Sequence, residues 1–320
     1  MAATLYDLIM RGCSIYIGGS LSKTFESKLK LIAPRFSTLS GFKSISIEDL
    51  NNLKTLEGEK CFRNLTARES AAITTFQGEI DLNKSIIENF IKMLTKEFVN
   101  KQILMLSSLS IDKFNANPIL CKALNLRTVE EFVRYNTYQS VGRSIVTSMG
   151  FLVQNLLLYS SEYVFDGKYY EEGDKTKFDL VIDGLGEVKS FIEVKSGFND
   201  MDKGQVKHYA EEIRLVEEAG HRGYIGVTYG RKENNTITAG LLRTYVPEWE
   251  NKTLVGKELW DFISGNENYH QVLIENIDSV ANIILCDVSI VQKIEDKVEE
   301  LINEFNSSYD NLDAYYESLW

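Results

Sequence analysis

The chain has 320 residues, 44% apolar and 25% charged, a balance that suits a globular protein with a sizeable core. A formal charge of -11 argues against a general nucleic-acid coat protein, and four dispersed cysteines (Cys13, Cys61, Cys121, Cys286) argue against a CxxC zinc or redox module. No apolar run approaches the ~18 residues needed to span a membrane, and Asp7 and Arg11 break the N-terminal apolar stretch; the expectation is a cytoplasmic protein with reduced thiols, no export signal and no membrane partner.

The charge is unevenly spread. Residues 1–150 hold 19 Lys+Arg against 14 Asp+Glu, whereas residues 151–320 hold 16 against 32. An acidic protein still binds DNA where one face is locally basic, and the N-terminal half is the expected source of part of such a face.

In chain order, residues 1–125 read as a mostly helical region with loops. Its clearest helix runs over roughly 83–104, where Ile86, Ile87, Phe90, Ile91, Leu94, Phe98 and Val99 recur at helical spacing. Thr128 is placed to cap a second long helix with Glu130 and Glu131 in its first turn, running to about Leu158 with a break expected near Asn136 or Gly142. The period then changes. Residues 161–170 read as a strand, 171–177 as a charged turn, and FDLVID and VKSFIEVKS as the two strands of a hairpin turning near Leu185. Lys203 to Ala219 reads as an amphipathic helix closed by Gly220. GYIGVTYG (223–230) reads as a strand, RKENN as a polar turn and TITAGLLRTYV as a further strand. From about 287 the tail is helical and acidic, with nine Asp or Glu against two Lys.

The hairpin carries the chemistry. Glu-x-Lys occurs five times in the chain, so the triplet alone decides nothing. Position does. In an antiparallel hairpin Asp179 pairs near residues 191 to 193, so Glu193 lies opposite or diagonal to it, and Lys195 shares the face of Glu193. Phe191, Ile192 and Val194 make that strand a buried one. Charges on a buried strand are costly unless they are paired or coordinate a metal. The bland reading is a salt-bridged hairpin; the sharper one is a site for a divalent cation and a water. Other chemistries lack their spacing: His208, His221 and His270 are isolated, and there is no GxxxxGK[ST] loop.

These residues resemble the PD-(D/E)xK nuclease superfamily over about residues 130–230. Asp179 matches the family aspartate, preceded by Phe178 instead of proline, and Glu193-Val194-Lys195 matches (D/E)xK. Gln205 and Tyr209 resemble the QxxxY element of RecB-type nucleases, whose glutamine supports the active site. Where the family often adds a carboxylate from the preceding helix, this chain has Gln154. The resemblance implies an α/β (α+β) protein: an αβββαβ restriction-endonuclease-like core with a mixed sheet flanked by helices, plus the helical N-terminal region. The expected divisions are 1–125, helical and suited to DNA recognition; 126–286, the nuclease core; and 287–320, the acidic C-terminal helix.

It further implies Mg²⁺ held by Asp179, Glu193 and the carbonyl of Val194, with Lys195 on the attacking water or the phosphate and Gln205 in support. The expected activity is that of a type II restriction endonuclease, a homodimer cutting double-stranded DNA to 5′-phosphate ends, with a cognate DNA methyltransferase as genetic partner. A less specific RecB-type defence or repair nuclease and an inactive DNA-binding module are the alternatives. Lys175, Lys177, Lys203 and Lys207 are candidate phosphate contacts, and Arg231 and Lys232 lie in a turn near the core.

Overall fold

The computed structural model describes residues 3–18, 21–114, 116–170, 177–184, 186–197, 201–232 and 236–319. The charged turn over 171–176 with Lys175, the hairpin residue Leu185, and residues 233–235 of the polar turn lie outside the described residues. The chain runs through α1 (Leu5–Tyr16), α2 (Lys23–Ile32), α3 (Leu39–Ser44), α4 (Ile47–Asn51), α5 (Ala67–Glu79), α6 (Ile86–Ser107), α7 (Pro118–Ala123) and α8 (Val129–Leu158). Then follow β1 (Val164–Asp166), β2 (Leu180–Ile182), β3 (Ser190–Lys195), α9 (Lys203–Glu218), β4 (Arg222–Val227), α10 (Ile237–Tyr245), α11 (Trp249–Lys252) and β5 (Thr253–Val255). The chain closes with α12 (Lys257–Ser264), α13 (Tyr269–Leu285), α14 (Ile290–Ser308) and α15 (Leu312–Glu317). The expected α+β class with an αβββαβ core is what the chain adopts.

Two compact units divide it: Met1–Leu94 with Val153–Asn276, and Thr95–Leu152 with Ile277–Trp320. In the first, α5 starts at a capping box between Thr66 and Glu69, which satisfies amide donors that the first helical turn leaves open. Glu69 also pairs with Lys28 of α2 at 2.7 Å, both side chains being buried. The same unit holds a five-stranded sheet in the order β1-β2-β3-β4-β5. β1, β2 and β3 are antiparallel neighbours, whereas β3, β4 and β5 are parallel. A parallel pair needs a crossover, and α9 makes the one from β3 to β4. It lies close: a Cβ added at Gly223 of β4 would come within 3.0 Å of the Ile213 Cα.

The second unit is built around an aromatic cluster. Phe132 of α8 packs with Phe305 of α14 (5.8 Å between ring centroids), Tyr315 (5.1 Å) and Tyr316 (5.8 Å) of α15. The acidic tail is therefore a packing element, with Ile294, Val298, Leu301 and Phe305 forming its buried stripe.

Four expectations need correction. The stretch read as a last strand is the helix α10: Thr236 caps it by accepting from the Ala239 amide, and Ala239 and Leu242 recur at helical spacing on its buried side. The strand expected over 161–170 shrinks to β1, because the Asp166 side chain takes the Lys168 amide and turns the chain into a single 3₁₀ turn. α8 runs unbroken through Asn136 and Gly142; the Asn136 side-chain amide donates to the Phe132 carbonyl one turn back without displacing the ladder. Finally, α8 is long and apolar enough, by length and composition, to cross a membrane. Its charged residues are Glu130, Glu131, Arg134 and Arg143, while Phe132, Val133 and Val141 are buried in the core of the second unit.

Candidate active site

The hairpin register builds the site. Leu180 lies opposite Ile192 and Val181 opposite Phe191; one residue further along, Asp179 stands opposite Glu193. Side chains alternate between faces of a strand, so Asp179 and Val181 share a face with Phe191, Glu193 and Lys195. That face is covered by α9: Val181, Phe191, Ile225 and Val227 form one apolar cluster with Val206 and Ile213. Tyr209 and Ala210 pack against the same cluster, so the helical repeat sets Tyr209 beside Glu193.

The contacts are tight. Lys195 Nζ donates to Glu193 Oε1 at 2.6 Å and lies 5.2 Å from the centre of the Tyr209 ring, within reach of a cation–π attraction. The Tyr209 phenol hydrogen-bonds to the Glu193 carboxylate. Burial and that carboxylate raise the phenol's pKa, so Tyr209 keeps its proton and acts as the donor. The Val194 amide donates to Asp179 Oδ2 at 2.9 Å. A strand residue's amide and carbonyl leave by the same edge, so the Val194 carbonyl lies on the Asp179 side of β3.

The electrostatics are those of a site short of positive charge. Glu193 is 4% exposed. Burial raises its pKa first, and the charge of Asp179 raises it further, against the opposing pull of Lys195 and Tyr209. Burial also raises the Asp179 pKa, against the Val194 amide and Lys195, while Asp166 of β1 adds a second negative charge. A half-buried carboxylate, Asp179, and a buried one, Glu193, thus share one lysine. Their oxygens and the Val194 carbonyl form an all-oxygen donor set that suits a hard divalent cation, and such a cation would offset the charge that Asp179 places on Glu193 and Asp166 on Asp179. Among the described residues no group of three or more His, Cys, Asp and Glu side chains forms a metal cluster.

Gln205 is placed differently from the rest. It is the third residue of α9, where its carboxamide oxygen accepts from the Asp202 amide at 3.0 Å and its own amide donates to Asp202 Oδ1 at 2.9 Å. It closes a capping box at the start of the helix that carries Tyr209. Gln154 is half-buried near the end of α8. Of the candidate phosphate contacts, Lys177 pairs with Glu212 at 2.7 Å and Lys232 with Glu258 at 2.6 Å. His208 and His270 stand near Glu212 and Asp261, and His221 near the Lys189 amide. All four cysteines are free thiols.

A family model for the type II restriction endonuclease EcoO109I matches residues 85–283, more than half of the chain. The chain belongs to the type II restriction endonuclease EcoO109I family. No curated protein matches it. Membership identifies a restriction endonuclease family with DNA as its substrate, whose members typically use a divalent metal. The matched segment contains the whole sheet and Asp179, Glu193, Lys195, Gln205 and Tyr209. The resemblance drawn from Asp179 and Glu193-Val194-Lys195 therefore holds at the level of the family. Two neighbours of the pair were absent from that sequence reading as site residues, Tyr209 and Asp166. The Gln205–Tyr209 spacing signalled the first; nothing local signalled the second.

Proposed function

We propose that the protein is a Mg²⁺-dependent, site-specific endonuclease that hydrolyses double-stranded DNA as a homodimer and leaves 5′-phosphate and 3′-hydroxyl ends. The observation that carries this reading is the pairing of half-buried Asp179 with buried Glu193, held beside Lys195 in a chain of a restriction endonuclease family.

Asp179, Glu193 and the Val194 carbonyl would hold Mg²⁺. When bound, the ion would lower the pKa of a water and offset charge on the phosphate. Lys195 holds a donor at the carboxylate pair, where it orients the attacking water and stabilises the charge that develops on the phosphate oxygens. Water adds to phosphorus, the bond to the 3′ oxygen breaks, and that oxygen leaves with a proton as a hydroxyl. Tyr209 fixes the rotamer of Glu193 and so the direction of its carboxylate. Gln205 supports the site at one remove, by capping the helix on which Tyr209 is carried. Residues 1–125 would contribute base reading and 126–286 the cutting core, with a cognate DNA methyltransferase as the genetic partner in a cytoplasmic restriction system.

The test is digestion of unmethylated phage DNA with Mg²⁺, comparing the wild type with Lys195→Ala. Discrete fragments from the wild type, lost in the variant by about 10²–10³-fold in rate, are the expected result. A smear lost in the variant would leave a nuclease without site specificity, and uncut DNA with either Mg²⁺ or Mn²⁺ would overturn the reading.

A further inference from the structure

The first turns of α9 carry two lysines that the local electrostatics leave over. Lys203 and Lys207 are both exposed, and neither makes an ion pair among the described residues. Four apart on one helical face, they repel each other. Both ammonium groups lie over one ring, Tyr245 at the end of α10, at 5.7 and 4.8 Å from its centre. The neighbouring cations are neutralised: Lys177 by Glu212, Arg214 by Glu211 and Glu218, and Lys252 by Glu217. In residues 151–320 acids outnumber bases by 32 to 16, so two lysines one turn apart with no ion pair among the described residues are a departure that the surrounding sequence does not favour by chance. Their place matters as well. Tyr209, two residues beyond Lys207, touches Glu193 from the sheet side of α9, so the lysines share the helix of that contact and project from its other side.

We propose that Lys203 and Lys207, aligned by the face of Tyr245, form a clamp for the phosphate backbone of the DNA. This rests on the reading of the protein as a DNA endonuclease and selects, from the candidate lysines, the two that make no ion pair among the described residues. Four residues of helix span about 6 Å, against about 3.4 Å of axis per phosphate on one strand, so the two ammonium groups suit nearby phosphates of a single strand. The ring holds both stems without neutralising them, which lowers the side-chain freedom lost on binding. Such contacts carry position and affinity, not sequence.

The experiment is fluorescence anisotropy of the full chain with a labelled random-sequence duplex in EDTA, titrated across salt concentrations. The variants are Lys203→Gln/Lys207→Gln and Tyr245→Leu, and the charge control is Lys252→Gln. Melting temperature confirms folding of each. The wild-type slope of log affinity against log salt is expected to fall by about 0.9 per lost phosphate contact, so by about 1.8 in the double variant. Tyr245→Leu is expected to weaken affinity with the charge intact, and Lys252→Gln to leave the slope in place. A double variant with the wild-type slope, or a Lys252→Gln slope reduced as much per charge, overturns the clamp. DNA cutting separates the two readings. A wild type that cuts while the double variant binds with an unchanged slope sinks only the clamp. A wild type that binds with a lysine-dependent slope and never cuts sinks only the nuclease, and one that neither binds nor cuts sinks both.

Discussion

The Tyr209 phenol and the Lys195 ammonium converge on the same carboxylate, that of Glu193, and the ammonium also lies 5.2 Å from the phenol's own ring. A helix residue and a strand residue thereby fix one acid from two directions. Tyr209→Phe keeps the ring beneath Lys195 and removes only the O–H. Outer partners of metal ligands are worth about 10–100-fold in metal affinity or activity, and a loss of that size is expected, with a higher Mg²⁺ concentration needed for half-maximal cleavage. Direct Mn²⁺ binding by the variant checks it without relying on turnover. Wild-type affinity for Mn²⁺ would show that the phenol does not orient Glu193.

Asp179 and Glu193 impose a pH signature of their own. Burial first, and mutual charge for Glu193, raise both carboxyls above their ordinary values in the folded state. The folded state then holds more protons than the unfolded one between the ordinary and the raised pKa. Stability from this pair is greatest below the ordinary carboxylate range and falls as pH rises through the raised values. In EDTA, Asp179→Asn is expected to gain melting temperature over the wild type as pH increases from about 4 to about 8. Mg²⁺ at pH near 8 should reverse the order, since a ligand at 100 times its Kd adds about 2.7 kcal/mol to a protein that binds it. A wild type whose melting temperature ignores Mg²⁺ would contradict the metal assignment.

The Lys28–Glu69 pair behaves in the opposite sense. Burial alone would raise the Glu69 pKa, but hydrogen bonds from Lys28 and the Thr66 amide outweigh it and hold the carboxyl below its ordinary value. Its stabilisation is present above the ordinary carboxylate pKa and is lost as pH falls through the lowered one. Lys28→Met strands a buried carboxylate and is expected to cost about 3 kcal/mol, read as a lower urea midpoint with an unchanged slope. The double change Lys28→Met/Glu69→Gln, which removes the stranded charge and keeps a capping-box residue at position 69, should recover most of that loss; if it does not, the pair's contribution lies in packing and not in charge.

What the sequence made legible was local. The Asp179–Glu193 juxtaposition follows from the strand period and a short turn, both of which are visible in 177–197. α10 reads as a strand in the sequence because Ile237, Thr238, Thr244, Tyr245 and Val246 are β-branched or aromatic, and the capping role of Thr236 outweighs that preference. Gln205 shows a second kind of ambiguity: Asp202-x-x-Gln205 has the spacing of a capping box, and the helix start claimed the side chain. The Tyr209–Glu193 contact depends on how closely α9 approaches β3, and the burden of Asp166 on Asp179 depends on the β1–β2 register; neither distance is written in adjacent residues.

That approach is set by glycine, which yields a last prediction. Gly223 faces α9, and a Cβ there would lie 2.9 Å from Ile213 Cγ1 and 3.0 Å from its Cα. A side chain can rotate away from such a contact, but a helix backbone cannot, so Gly223→Ala must push α9 outward. Ile213 and Tyr209 are one turn apart, so the displacement reaches the phenol on Glu193. Gly226 faces the other side of β4, where an added Cβ would meet the side-chain carbons Leu259 Cδ1 at 2.7 Å and Ile192 Cγ2 at 3.2 Å. Both alanine variants are expected to lose about 1–3 kcal/mol of stability through overpacking. Only Gly223→Ala should also raise the Mg²⁺ requirement for cleavage, because only it moves the helix that holds Glu193. Equal Mg²⁺ requirements in two variants of equal stability would mean that the position of α9 does not govern the carboxylate pair.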